Sequence, residues 1–170
     1  EKLMKKVAII GAGISGLFIA NLFKKNSNYQ ITIFEKNTSI SLEEGYGIQL
    51  SVNSIKLLNE IGFEKIQNIE KFTPEKINFY SNKDLNKICE LNISDFNTGD
   101  SKYTTLKRST LINFLKKDLE DIIKVGYNIS KIEQDEKNIQ LSFTNDEIKD
   151  CDYLIISDGV FSKSKSLISK

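Results

Sequence analysis

The stretch VAIIGAGISG sets Gly11, Gly13 and Gly16 at the spacing G-x-G-x-x-G, and an acid, Glu35, follows Gly16 by nineteen positions (35 − 16). Glycines in that pattern also occur in ordinary loops. Here, however, they follow a β-branched run, Val7 to Ile10, and open a segment with Ile14, Leu17, Phe18 and Leu22 at helical spacing. A second run, YQITIFE, then ends in the acid. This context predicts a strand, tight turn, helix and strand, the βαβ unit that receives a dinucleotide. Gly11 permits the sharp turn, Gly13 leaves no side chain between the helix start and a pyrophosphate, and Gly16 lets the helix lie close to the strands. The turn Gly11-Ala12-Gly13-Ile14-Ser15-Gly16 thereby aims free N–H groups and the positive end of the helix dipole at phosphates. Glu35 accepts hydrogen bonds from ribose hydroxyls and repels the 2′-phosphate of NADP. FAD or NAD is therefore favoured, and the fingerprint alone does not choose between them.

A second candidate lies in DYLIISDGVFS, where the apolar run Tyr153 to Ile156 reads as a buried strand that delivers Asp158 and Gly159 to its carboxyl end. In open α/β sheets ligands gather outside the carboxyl ends of strands. By itself an Asp-Gly pair is only a turn signal. Arg108, the sole arginine, is by itself more often a surface ion-pair residue.

Composition excludes several chemistries. The 170 residues carry 24 Lys plus Arg against 23 Asp plus Glu, a net charge of +1, without a basic stripe interleaved with aromatics, so nucleic acid is not an expected partner. There is no histidine, which removes the commonest general base, the commonest metal ligand and every Ser-His or Cys-His nucleophile. Cys89 and Cys151 lack CxxC spacing, so neither a disulfide framework nor a metal site is expected, and a reducing, cytoplasmic setting fits. No run approaches the length of apolar sequence that crosses a membrane. With no catalytic acid or base assignable, any chemistry is expected to belong to a cofactor.

The elements that must position these residues follow from periodicity. One domain is the expectation for this length. EEGYGIQLS reads as a glycine-containing loop, and VNSIKLLNEIGF as a helix with Gly62 as its stop signal. EKINFYSNKDLNKICELNIS reads as two strands around an Asn-Lys-Asp turn. RSTLINFLKKDLEDI reads as an amphipathic helix entered through Ser109 or Thr110. The segment from Gly126 to Ser157 reads as a β-meander with turns near Asp135 and Asn145 that leads into the last strand.

Taken together, GAGISGL, GYGIQLSVNSIKLLNEIG, LKRSTLINFL and DYLIISDGVFS resemble, in order and rough spacing, the FAD-dependent aromatic hydroxylases, the single-component flavoprotein monooxygenases typified by salicylate and para-hydroxybenzoate hydroxylases. The resemblance implies a Rossmann-like α/β FAD-binding fold with a β-meander, spanning residues 1–170, with 72–105 as a β insertion belonging to a substrate-side sheet. It implies that Gly11, Gly13 and Gly16 form the pyrophosphate turn, that Glu35 is the ribose acid, and that Lys36 stands beside the adenosine. Gly47 matches a glycine near the flavin ring, and Arg108 an arginine that approaches the ribityl and phosphate portion. Ile129 lies where backbone near the adenine is expected, and Asp158 with Gly159 matches the motif whose acid bonds the ribityl chain. The chain departs from the pattern at Ile156 and Ser157, where small residues are usual, at Lys165 in place of an arginine, and at Val52 in place of a proline.

The implied function is the FAD-binding portion of an NAD(P)H-dependent monooxygenase acting on a small aromatic substrate, with NADH or NADPH as transient electron donor. The family's chains are longer and add a Gly-Asp motif and more of the substrate sheet, so these 170 residues alone are not expected to hydroxylate. Two competing readings are a non-catalytic dinucleotide-binding module, such as a truncated homologue, and an NAD-dependent oxidoreductase.

Overall fold

The computed structural model describes residues 4–40, 42, 46–67 and 70–168. In chain order the first elements are strand β1 (Lys5–Ile10), helix α1 (Ile14–Lys24) and strand β2 (Tyr29–Glu35). Next come β3 (Gly47–Leu50), α2 (Val52–Asn59), β4 (Lys71–Phe72), β5 (Lys76–Tyr80), β6 (Lys87–Asn92), β7 (Thr104–Lys107) and α3 (Arg108–Lys116). The last are β8 (Ile123–Val125), β9 (Ile129–Gln134), β10 (Ile139–Phe143), β11 (Ile148–Cys151) and β12 (Tyr153–Ile156). The chain divides into two compact units, residues 1–42 with 115–170, and residues 43–114.

The first unit is a Rossmann-like α/β fold built on a parallel sheet of order β12-β1-β2-β8. Its central strands read as near-continuous apolar runs because both of their faces are covered. Val7, Ala8, Ile9 and Ile10 are all buried, as are Ile31, Ile33 and Phe34. One cover is α1, whose Leu17 and Ala20 are fully buried. The other is the antiparallel meander β11-β10-β9, whose Leu141, Phe143 and Cys151 pack with Ala8, Ile10 and Phe34 in one cluster. Burial pushes the Cys151 thiol up to about 11, so this cysteine is a core residue and stays protonated at neutral pH. Cys89 is exposed, and neither cysteine is in a disulfide.

The second unit holds a three-stranded antiparallel sheet, β3-β7-β4, and a two-stranded hairpin, β5-β6. Phe63 anchors it, fully buried with its ring edge-on to Phe114 at 5.6 Å.

Four readings of the sequence are corrected. Gly47 to Leu50 is a strand rather than loop, because it pairs antiparallel with β7, from Gly47 opposite Lys107 to Leu50 opposite Thr104. Glu43, Glu44 and Gly45 of the same expected loop lie outside the described residues. The helix α2 ends at Asn59, before Gly62, which turns the chain at φ +90°. The helix α3 begins one residue early, at Arg108, and ends at Lys116 rather than Ile122, and the next strand, Ile123 to Val125, pairs parallel with β2 as the sheet's far edge. The strand β12 occupies the other edge, so it is half-buried, and Tyr153 is exposed.

Candidate dinucleotide-binding site

Three parallel strands deliver their carboxyl ends to one place. The Gly11 N–H donates to Phe34 O at 2.8 Å and the Ser157 N–H donates to Ile10 O at 2.8 Å, so the ladder continues one residue past each strand. Gly11 then turns at φ +101°, where a Cβ would also come 2.6 Å from Ser157 O. Only glycine satisfies both conditions. At Gly16 a Cβ would sit 2.0 Å from Gly11 O and 2.7 Å from Ser157 Oγ, so α1 rests directly on the turn that precedes it. Gly13 differs: it caps α1 in an extended conformation, φ −80° and ψ −175°, and a Cβ there would meet nothing within 4 Å. Open space over a helix N-terminus, with its unpaired first-turn N–H groups, is the cradle a phosphate requires.

Glu35 is fixed from two sides. Its Oε2 accepts from the Ala12 N–H at 3.0 Å and its Oε1 from the Asn37 N–H at 2.9 Å. An ionised carboxylate has about four acceptor sites, so both oxygens keep capacity for further donors such as sugar hydroxyls. The adjoining wall is held by backbone bonds from Tyr127 N–H to Glu35 O at 2.9 Å and from Gly126 N–H to Asn37 O at 2.8 Å. Behind it Phe34, Tyr127 and Phe143 form an aromatic triangle with ring centroids 4.7 to 5.3 Å apart. On the far side Asp158 Oδ2 accepts from the Ser164 N–H at 3.1 Å and the Ser164 hydroxyl at 2.7 Å. Burial raises the Asp158 carboxyl, but hydrogen bonds from Ser162 and Ser164 outweigh it and leave the group below the ordinary carboxylate value.

These residues enclose a cleft of about 290 Å³. Among the residues expected from the sequence, Gly11, Gly13, Glu35, Lys36, Ile129, Asp158 and Gly159 line it. Ala12, Ile14 and Gly16 are not among its lining residues, and Ser15 lines an adjacent groove of about 480 Å³ that also reaches Asp158 and Gly159. Gly47 and Arg108 belong to the second unit, where they are neighbours: Gly47 faces Lys107 across β3 and β7, and the Arg108 N–H donates to Tyr46 O at 3.1 Å. Sequence reasoning missed Tyr127, Lys163 and Ser164, which also line the cleft. For Lys163 and Ser164 the available signal was the Ser-Lys-Ser-Lys run that follows the Asp-Gly turn after two intervening residues. Among the described residues no group of acidic or cysteine side chains is arranged to hold a metal ion, and no helix is long and apolar enough to cross a membrane.

Residues 9–43 match the family described as NAD(P)-binding Rossmann-like domain. Over 160 residues the chain is 26% identical to 3-amino-4-hydroxybenzoate 2-monooxygenase of Streptomyces cremeus, covering 92% of this chain and 40% of that protein. Over 167 residues it is 26% identical to salicylate hydroxylase of Pseudomonas putida, covering 96% of this chain and 38% of that one. The chain resembles the FAD-dependent monooxygenases. The fold likeness extends to solved structures such as Klebsiella pneumoniae HpxO complexed with FAD and uric acid, with a TM-score of 0.75 at 21% identity over 91% of this chain and 39% of that one. The resemblance to these monooxygenases is thus to a part of each: the chain spans about two-fifths of the length of the relatives it matches.

Proposed function

We propose that the chain is the FAD-binding portion of an NAD(P)H-dependent flavoprotein monooxygenase that hydroxylates a small aromatic substrate. The observation that carries this reading is the convergence, at the carboxyl ends of β1, β2 and β12, of an open cradle at Gly13, a pinned acid at Glu35 and a buried acceptor without a partner at Asp158 Oδ1. Two independent features fit the cofactor: the space a Cβ at Gly13 would occupy, and the oxygen of Asp158 that lacks a donor.

In this reading the first-turn N–H groups of α1 hold the pyrophosphate over Gly13, and Glu35 takes the adenosine ribose hydroxyls. Lys36 lies beside the adenosine, and Ile129 offers backbone near the adenine. Asp158 and Gly159 take the ribityl chain, Arg108 approaches its phosphate end, and Gly47 stands near the ring system. Residues 72–105 form part of a substrate-side sheet within the same 1–170 assembly. When bound, the flavin supplies the electron transfer and oxygen activation that these side chains lack. The chain's own task is to bind and orient it, and the hydroxylation itself is assigned to the longer protein of which this span is the cofactor-binding part. We further infer a cytoplasmic location, where NADH or NADPH is supplied and Cys89 and Cys151 remain thiols.

The test is an equilibrium titration of wild-type chain and Glu35→Ala with FAD, NADH and NADPH. FAD is expected to bind wild type more tightly than either nicotinamide. Glu35→Ala is expected to lose about 1 to 3 kcal/mol of FAD affinity, the scale of a hydrogen bond to a charged group. An unchanged dissociation constant in a folded variant removes Glu35 from the site. A second reading, an NAD-dependent oxidoreductase, draws on the NAD(P)-binding match over 9–43, and NADH binding tighter than FAD would favour it.

A further inference from the structure

Among the described residues two buried side-chain oxygens lack a hydrogen-bond partner, Asn59 Oδ1 and Asp158 Oδ1. Asn59 closes α2 in the second unit, whereas Asp158 lies in the cleft. The two oxygens of Asp158 are treated unequally. Oδ2 receives two donors from Ser164, the N–H at 3.1 Å and the hydroxyl at 2.7 Å, and Ser162 also acts on this carboxylate, while Oδ1 has no hydrogen-bond partner. Ser164 is 1% exposed, so water does not compete for this hydroxyl. The intervening segment is shaped to bring it there. Gly159 turns at φ +88°, the Ser162 N–H closes onto Gly159 O at 3.1 Å, and a short 3-10 turn, Ser164–Leu167, starts at the bonded residue.

Any residue at position 164 except proline would supply the backbone donor. Only a hydroxyl supplies the second, shorter bond. A carboxylate held by both bonds on one oxygen cannot rotate to share its donors, which leaves Oδ1 as an acceptor of fixed direction. A buried acceptor without a donor is costly in a folded protein and marks a place where one arrives from outside.

We propose that Ser164 is a positioning residue for the cofactor: it clamps one oxygen of Asp158 so that the other is presented to a hydroxyl of the flavin's sugar-alcohol chain, a role that rests on the FAD reading above. Ser164 itself touches no cofactor atom in this scheme. Its effect is transmitted through the direction of Oδ1.

The experiment compares Ser164→Ala with wild type in the 170-residue chain, measuring dissociation constants for FAD and for ADP. Both ligands use the glycine turn and Glu35, and only FAD carries the sugar-alcohol chain. The variant is expected to bind FAD about tenfold more weakly and ADP within about twofold of wild type, the scale of one lost charge-assisted hydrogen bond. In an Asp158→Ala background the same substitution is expected to have no further effect on FAD. Ser164→Cys, which preserves volume and offers a weak donor, is expected to show the same selective loss and serves if the alanine variant does not fold. Unchanged FAD affinity, or equal weakening of FAD and ADP, overturns the clamp and leaves Ser164 a packing residue. A folded wild-type chain that binds ADP but not FAD overturns the flavin reading, and the clamp with it.

Discussion

Gly16→Ala is expected to destabilise the first unit by about 3 kcal/mol or more, at the upper end of what overpacking costs, from a single added methyl group. The added Cβ would lie 2.0 Å from the backbone oxygen of Gly11 and 2.7 Å from Ser157 Oγ. A serine side chain can swing away. The Gly11 oxygen cannot, because that residue is held at φ +101° between Phe34 O, which accepts its N–H, and the backbone of Ser157 and Asp158. Relief therefore requires α1 to lift, which uncovers Leu17 and Ala20 against the sheet. Typical domains have only about 5 to 15 kcal/mol of stability, so the shift should be plain in a denaturant midpoint at unchanged slope. A midpoint equal to wild type would show that α1 does not rest on the turn as described.

Gly13→Val, three residues earlier, is expected to do the opposite. Its backbone lies at φ −80° and ψ −175°, an extended conformation that a β-branched residue prefers, and a Cβ there meets nothing within 4 Å. Folding stability should stay within about 1 kcal/mol of wild type, because the freedom lost by the unfolded chain offsets the poorer N-cap that valine makes. Binding should not survive. The valine occupies the space in which a pyrophosphate approaches the helix N-terminus, and a loss of at least about a hundredfold in FAD affinity is expected, close to 3 kcal/mol. Circular dichroism and a thermal melt, measured beside the titration, separate the two quantities. Wild-type FAD affinity in the valine variant would remove the phosphate from Gly13. The two substitutions together assign one glycine of the fingerprint to packing and the other to ligand.

What was legible in the sequence was what is encoded locally. The turn from Gly11 to Gly16 is flanked by β-branched and helical periodicities that need no distant partner to be recognised, and β1, α1 and β2 stand where those periods place them. The meander was legible for the same reason, since its turns at Asp135 and Asn145 are marked by side chains that bond the backbone two residues on. Missed elements depend on pairing across the chain. Gly47 to Leu50 is a strand because β7, more than fifty residues later, lies beside it. Ile123 to Val125 is a strand because β2 offers an open edge, although its three residues lie between the expected helix and the expected meander and carry too short a pattern to be read alone. At the site, Glu35 and Asp158 were recognisable as acids at strand ends. The bonds that orient them, from Ala12 and from Ser164, were not, because each depends on how a turn closes in three dimensions.

This chain is proposed to receive a flavin dinucleotide at the ends of its parallel strands. An isothermal titration of the purified chain with FAD tests it most directly, with ADP added as a competitor in a second series. Saturable binding of one FAD per chain is expected, displaced by ADP through the shared glycine turn and Glu35. A folded chain that releases no heat of saturable FAD binding, or binds FAD without competition from ADP, would contradict it.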